Sequence, residues 1–266
     1  MPLKNILVHL DNSDHSAARL TLAVGIAQKH QARLTALYII THPYYEPQHI
    51  DTEVRAQQVD TQFNDITAAS NVQAELLTVD WKVTGTSVAE IINLHAHYAD
   101  MVIVGQADHA YGEKDTLSDL PERVLLGAGR PVLIIPYAGT YKECGATVLV
   151  SWKPGREATR AVNDAIPLLA LADAVTILAV NPTDEERLEG EKLCLHLACH
   201  GITARVEQSL STDISIGDVL LNRASDEGID LLVMGAFAQT RLGTPALGDV
   251  ARHILKYMTV PVLMSH

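Results

Sequence analysis

One stretch of this 266-residue chain occurs twice, 130 positions apart. Ala99–Gly105 returns as Ile229–Gly235, and Pro131–Ile134 returns as Pro261–Met264. Each copy is an apolar run that ends in glycine, followed at the same distance by an apolar run that begins with proline. Self-similarity at a fixed period means that one structural unit is repeated, so the chain is limited to folds that two similar halves can build.

Other parts of the two halves also correspond. Ile6–Val8 matches Val148–Val150, and Leu34–Ile39 matches Val175–Val180. Short runs rich in Val, Ile and Leu are typical of strands in a parallel sheet that is covered on both faces. Between them, apolar residues recur at helical spacing: Ala17, Leu20, Val24 and Ala27 in the first half, and Ala158, Ala161, Val162, Ala165, Leu168 and Leu169 in the second. Each half predicts the order β-α-β-α-β-α-β-α-β, with right-handed crossovers.

The chain is long for a single core and suits two cores of about 130 residues each. Ala138–Gly145 has the composition of a linker and directly follows the last predicted strand of the first half. We therefore place the boundary after Thr140. This gives a first domain of residues 1–140 and a second of residues 141–266.

Composition narrows the partners and the location. A net charge of −12 would on average repel a nucleic-acid backbone, so no nucleic-acid partner is expected. No segment has the roughly 18 uninterrupted apolar residues of a membrane helix, so we expect no membrane association. The N-terminal MPLKNILVHLD lacks the features of a signal peptide, and three cysteines are too few for a disulfide framework. We expect a cytoplasmic protein.

The repeated unit resembles the universal stress protein family in its tandem, two-domain form. Three features carry the resemblance: an acid-containing turn after the first strand, a fourth strand that ends in glycine, and a closing strand that begins Pro-Val-Leu. The resemblance covers essentially the whole chain. It implies a role in stress response and two doubly wound, Rossmann-like α/β domains, each with a five-stranded parallel sheet in the order 3-2-1-4-5. In such a sheet the ligand crevice lies at the carboxyl ends of the strands, where the winding reverses.

Some members of that family bind ATP through the pattern G-x-x-G, nine residues, then G followed by Ser or Thr, with an aspartate after the first strand that reaches the adenosine. The glycines let phosphates approach the backbone, and amides and the hydroxyl donate to them. In the second half, Gly235 and Gly248 match, whereas Ala238 replaces a glycine and Asp249 replaces the hydroxyl. Lys153 stands where the family has its acid. Because a carboxylate in the phosphate seat adds repulsion, the resemblance predicts weakened affinity.

The first half departs from the pattern differently. Asp11 and Ser13 keep an acid and a hydroxyl after the first strand, but only Gly105 matches after the fourth, where Asp108 and Ser118 replace the other glycines. Neither half keeps a full ATP motif. The candidate nucleotide-binding residues are Asp11, Ser13, Ile39, Gly105, Ser118, Val180, Gly235, Ala238, Thr240, Arg241 and Gly248, with Thr244 as a further donor.

Simpler interpretations of the same residues stay open. A glycine-rich stretch after a strand is often only a tight connection into the next helix. Asp11 or Ser13 could cap the first helix, and Asp119 and Asp249 stand where later helices would begin. The segment from 42 to 71 is either a lid over the first crevice or a loop followed by an exposed helix.

A metal site and an enzyme active site have less support. His196, Cys199 and His200 have the spacing that brings side chains together on a helix, which makes them a candidate for zinc. The alternative is an ordinary helix end, because Gly201 follows directly as a terminator. Cys194 has the spacing of a core position. No Ser-His-acid set and no phosphate-loop lysine occurs, so no enzyme is expected, with slow ATP hydrolysis left open.

Three functions follow from these residues. The first is a non-catalytic stress protein that binds a small ligand weakly or presents a surface to partners. Its two halves would pair as an internal pseudo-dimer, since each closing strand otherwise leaves an edge exposed, and two chains could associate further as a homodimer. The second is an adenine-nucleotide sensor with ATP in one crevice. The third is a metal or redox protein that uses Cys199 and the neighbouring histidines.

Overall fold

The structure is a computed structural model, and it describes residues 2–40, 52–80, 87–107, 119–239 and 245–266. These residues form two compact units. The N-terminal unit comprises the described residues within 2–130 together with 140–142. The C-terminal unit comprises those within 131–139 and 143–266.

The N-terminal unit alternates strands and helices. Its elements are β1 (Asn5–Leu10), α1 (Ser16–His30), β2 (Arg33–Ile40), α2 (Thr52–Ala68), β3 (Ala74–Asp80), α3 (Val88–Ala96), β4 (Met101–Gly105) and α4 (Leu120–Gly127). β1 pairs with both β2 and β4, β2 pairs with β3, and all three pairings are parallel. The strand order is therefore β3-β2-β1-β4, and the winding reverses between β1 and β4.

The C-terminal unit repeats this arrangement and adds further strands. Its elements are β5 (Val132–Ile135), β6 (Thr147–Ser151), α5 (Arg156–Leu169), β7 (Ala174–Val180), α6 (Asp184–Cys199), β8 (Ala204–Ser209), α7 (Ile216–Asp226), β9 (Leu231–Gly235), β10 (Phe237–Gln239), β11 (Pro245–Leu247), α8 (Asp249–Tyr257) and β12 (Val262–Ser265). The parallel strands follow the order β8-β7-β6-β9-β12. This is the predicted order 3-2-1-4-5, and the doubly wound α/β class is confirmed.

The predicted strands are buried as a parallel sheet requires. Ile6 and Val8 in β1 are 0% exposed, and so are Val148 and Val150 in β6. Helices on both faces remove these runs from water, which explains why they are continuous rather than alternating. In the part of the chain that the structure describes, no helix combines the length and apolar character needed to cross a bilayer.

The closing strand of the first repeat belongs to the C-terminal unit. β5 pairs antiparallel with β12, with Leu133 opposite Leu263 and Val132 opposite Met264. Sequence position alone groups β5 with residues 1–140, whereas its contacts group it with the second repeat. The boundary after Thr140 stays a prediction.

The aspartate that precedes each fourth strand ties that strand to the first. Oδ2 of Asp100 accepts from the two amides that lead into and begin β1, at 2.7 and 2.9 Å. Asp230 accepts from the three amides that lead into and begin β6, at 3.0, 2.9 and 3.0 Å. The repeated Asp of the sequence pattern therefore holds together the two strands between which the winding reverses.

The segment from 42 to 71 contains the helix of the simpler interpretation. Within α2, only Val59 and Phe63 are buried, so most of this helix faces solvent. Residues 41–51 lie outside the described residues, and so does the lid interpretation of them.

Candidate functional site

Each unit has one place where a small ligand is expected. Ligands of an open doubly wound sheet bind outside the carboxyl ends of the strands where the winding reverses. That place follows β1 and β4 in the N-terminal unit, and β6 and β9 in the C-terminal unit. We call these the N-terminal crevice, bounded by Asp11 and Gly105, and the C-terminal crevice, bounded by Lys153 and Gly235.

The guanidinium of Arg19 lies in the N-terminal crevice. This α1 side chain is 3% exposed, and its Nε donates to the carbonyl oxygen of His9 at 2.8 Å while Nη2 donates to Oδ2 of Asp11 at 2.7 Å. A β-carbon on Gly105 would overlap with Nη1 of Arg19. Gly105 thus leaves room for a side chain of the protein itself, a role that the phosphate-loop interpretation did not anticipate.

Asp11 is held by neighbours within the chain. Its Oδ1 accepts from the amide of Ser13 at 2.9 Å and from the Ser13 hydroxyl. Burial alone would raise the pKa of Asp11, but the positive charge of Arg19, with smaller effects from His9 and Ser13, holds it well below its ordinary value. The capping interpretation of Asp11 and Ser13 is wrong, because α1 takes His15 as its N-cap residue and has no side-chain cap.

His9 is a further ionisable group at this crevice. It is 2% exposed, and its Nδ1 has no hydrogen-bond partner among the described residues. Burial lowers the pKa of His9 to about 4, against a smaller raising effect of Asp11 and together with a lowering effect of Arg19. The imidazole is therefore neutral near pH 7, and the Asp11–Arg19 pair supplies the charges beside it.

The C-terminal crevice has an alanine where the N-terminal crevice has its arginine. Ala161 corresponds to Arg19 by the displacement of 142 that relates β6 to β1, and it is 0% exposed. Gly235 packs instead against the first turn of α5, where its β-carbon would lie 2.7 Å from the amide nitrogen of Ala158 and 2.7 Å from the carbonyl carbon of Glu157. In both units the glycine that ends the fourth strand accommodates a contact within the protein.

Two buried donors at the carboxyl edge of the C-terminal unit have no acceptor in the part of the chain that the structure describes. Ser265 is in register with Gly235, and Trp152 continues the β6–β7 ladder by donating its amide to Leu178 at 2.9 Å. Ser265 is 1% exposed and Trp152 is 8% exposed. Neither Oγ of Ser265 nor Nε1 of Trp152 has a hydrogen-bond partner within the described ranges. Sequence reasoning passed over Trp152, although it stands directly after the first strand of the repeat.

The segment after the fourth strand of the second repeat contains two short antiparallel strands, β10 and β11. Phe237 pairs with Leu247, Ala238 with Ala246, and Gln239 with Pro245. Ala238, the residue at the second glycine position, therefore has its backbone in an antiparallel ladder. The sequence was interpreted only as a loop here, although Gly243 falls between the two strands and glycine in a short connection is a hairpin signal.

Asp249 lies at the start of α8. Gly248 is the N-cap residue of α8, and Asp249 is its first helical residue, with a fully exposed side chain that pairs with Arg252 at 3.3 Å. This carboxylate faces solvent beside the positive end of the helix, and its repulsion of a phosphate stays a prediction. Asp119 does stand at the N-cap of α4, but it makes no side-chain cap hydrogen bond, so the capping interpretation fails for both.

The remaining nucleotide candidates divide into two groups. Ile39 is 4% exposed and is the penultimate residue of β2, and Val180 is the half-buried last residue of β7, so both lie at the carboxyl end of the second strand of a repeat. The other group lies outside the described residues and keeps its roles as predictions: Asp108, Ser118, Thr240, Arg241 and Thr244.

The zinc candidates do not converge. The rings of His196 and His200 lie 5.0 Å apart in an edge-to-face arrangement, and the thiol of Cys199 donates to the carbonyl of Leu195 at 3.4 Å. Across the described ranges, no three His, Cys, Asp or Glu side chains are placed to hold a metal ion. Cys194 is half-buried, and burial raises the pKa of its thiol.

Comparison with known proteins decides the family. A family model described as the universal stress protein family matches residues 2–136 and again residues 147–266. The chain belongs to the universal stress protein family. Two matches in one chain confirm the tandem form of this universal stress protein.

Solved structures of the same fold span this universal stress protein. A universal stress protein from Archaeoglobus fulgidus DSM 4304 is 17% identical with a TM-score of 0.76, covering 98% of this chain and 97% of its own. A functionally unknown protein from Pseudomonas aeruginosa PAO1 is 17% identical with a TM-score of 0.62, covering 99% and 92%. At these identities the likeness concerns the fold. No curated protein matches the chain.

Proposed function

We propose that this universal stress protein acts in the stress response without catalysing a reaction, and that it holds a small ligand weakly or presents its surface to a partner. One observation carries the proposal: Gly105 and Gly235 are both in close contact with protein atoms. A phosphate needs that space to approach the backbone. Adenine nucleotides are therefore expected to bind weakly.

Two further features support weak nucleotide binding. The β10–β11 ladder uses backbone groups that a phosphate loop would turn towards its ligand. In the C-terminal unit, Lys153 is exposed where the family resemblance implies an acid for the adenosine. In the N-terminal crevice the acid, Asp11, is paired with Arg19. In the C-terminal crevice the acid is replaced by Lys153.

The C-terminal crevice is the better place for a weak ligand. The indole Nε1 of Trp152 and the hydroxyl of Ser265 are buried donors without acceptors in the described part of the chain. An unsatisfied buried donor costs roughly 1–3 kcal/mol, which a ligand with suitable acceptors would relieve. The fluorescence of Trp152 would report such a ligand, with Trp81→Phe removing the second tryptophan.

The closing strands support a proposal about assembly. Pairing of β5 with β12 joins the last strand of the first repeat to the last strand of the second, which fits an internal pseudo-dimer of the repeats. A further homodimer of whole chains would be measured by light scattering.

We also propose a cytoplasmic location, for which the low cysteine content is the supporting observation.

A nucleotide assay tests the proposed function. The purified chain is denatured and the released small molecules are separated, and Mg-ATP is then titrated into native protein by calorimetry. We expect no co-purified adenine nucleotide and no binding in the micromolar to low-millimolar range. Stoichiometric ATP in either measurement would overturn the proposal in favour of the nucleotide sensor.

A further inference from the structure

Arg19 places a positive charge deep in one repeat where the other repeat has a methyl group. Arg19 is 3% exposed, and its counterpart Ala161 is 0% exposed. Since α5 packs on its sheet with alanine at this position, the fold does not need a long side chain there. The arginine therefore serves something particular to the N-terminal crevice.

The partners of Arg19 are those of a bound planar cation. Nε donates to the carbonyl oxygen of His9, and Nη2 donates to Oδ2 of Asp11, so the two acceptors bind neighbouring donors of one guanidinium plane. Carboxylates and carbonyl groups that converge in this way select a planar, forked donor over a point charge. The absence of a β-carbon at Gly105 gives Nη1 its space.

We propose that Arg19 is a built-in ligand of the N-terminal crevice. Its guanidinium occupies a cation site formed by Asp11 and the carbonyl of His9, and it closes this crevice to molecules from solution. Arg19 is then the residue that makes the two crevices of the chain unequal. The ligand class that this site accepts is a small planar cation, a guanidinium or an amidinium. This inference takes one assumption from the proposed function, namely that ligands bind at the crevices.

Chemical rescue tests the inference. Arg19→Ala leaves the carboxylate of Asp11 without its cation and opens space beside Gly105. Breaking a buried ion pair on one side lowers the melting temperature by roughly 6–12 °C. Methylguanidinium chloride should enter the variant with one-to-one stoichiometry in calorimetry. At about ten times its Kd it should restore several degrees of the loss.

Matched controls separate entry into the site from general salt effects. Methylammonium chloride at the same ionic strength carries the same charge without the planar fork and should restore much less. Arg33→Ala removes an arginine that is paired with Glu75 but is 46% exposed, and it should show no rescue. Asp11→Asn in the Arg19→Ala background removes the carboxylate and should abolish the rescue. Wild-type protein should bind no methylguanidinium.

Three outcomes would overturn the inference: equal effects of methylguanidinium and methylammonium, no binding to Arg19→Ala, or binding to the wild type. If Arg19→Ala does not fold in buffer, recovery of folded protein only with methylguanidinium present supports the inference, and no recovery with it overturns the inference. ATP bound at the C-terminal crevice of the wild type would overturn the proposed function and leave this result standing.

Discussion

The amide nitrogen of Ala158 lies 2.7 Å from where a β-carbon on Gly235 would stand, because the first turn of α5 rests against the end of β9. Backbone atoms of a helix cannot turn aside as a flexible side chain can. We therefore expect Gly235→Ala to lower the free energy of unfolding by about 2–3 kcal/mol, the upper range for overpacking. Urea unfolding followed by circular dichroism measures this. A loss no larger than that of Gly25→Ala, where nothing lies within 4 Å, would contradict the contact.

The effects of substitutions at Gly105 and Arg19 on stability should be coupled. A β-carbon at 105 meets the Nη1 end of a side chain, so Gly105→Ala displaces the guanidinium from Asp11 and His9 at a cost of about 1–2 kcal/mol. In the Arg19→Ala background the same substitution meets no guanidinium and should cost close to nothing. A double-mutant cycle of the four proteins measures the coupling, and additive effects would contradict it.

His9 should make stability fall as the pH is lowered from neutrality. Its pKa of about 4 in the folded protein lies below the ordinary 6.5, so the unfolded chain takes up a proton first as the pH falls. The stability is fully present above pH 6.5 and is lost progressively between pH 6.5 and 4. His9 should account for a loss of roughly 2 kcal/mol between pH 7 and pH 5.

His9→Leu isolates this effect. The variant keeps a buried side chain of similar size that does not titrate, so its urea midpoint should change less between pH 7 and pH 5 than that of the wild type. The buried His30, whose pKa is also lowered by burial, would remain as a second source of pH dependence. The same decline in both proteins would show that His9 titrates normally in the folded state.

Asp230 should contribute more to stability than Asp100. Its carboxylate accepts three backbone amides in a half-buried position, whereas Asp100 accepts two in an exposed one. We expect Asp230→Ala to cost about 3 kcal/mol and Asp100→Ala about 1–2 kcal/mol, since each substitution removes the carboxylate that accepts from these backbone amides. Asp230→Asn retains one acceptor oxygen, so its loss of stability should lie between those of Asp230→Ala and Asp100→Ala. The order of the three urea midpoints checks this, and equal losses at 100 and 230 would refute it.

The fold was predictable because it depends on patterns that are local and repeated. The runs around Val8 and Val150 predict buried strands, and the recurrence after 130 positions predicts two copies of one unit. The α/β class follows from short-range periodicity and from rules about crossovers, whereas the strand order is what the family resemblance implied. The grouping of β5 with the second repeat does not follow from local periodicity, and the exposed edge of each closing strand was the only sequence signal for its pairing with β12.

The candidate site was only partly predictable. The sequence places Asp11, Ser13 and Gly105 at the N-terminal crevice, and the structure brings these three residues to that crevice, where Asp11 binds Ser13 directly. The sequence does not say where a carboxylate points. In the structure, the carboxylate of Asp249 faces solvent. Comparing Arg19 with Ala161 across the repeats was the available signal for the buried guanidinium.

By itself, the sequence determined that this chain is a tandem α/β protein, since repeat period and apolar spacing are properties of the chain as written. Only the tertiary structure decided what lies beside Gly105 and Gly235. A glycine in the sequence indicates that space is needed at its position, but it does not indicate which atoms fill that space. The guanidinium of Arg19 and the first turn of α5 reach these glycines only once the helices have packed on the sheet.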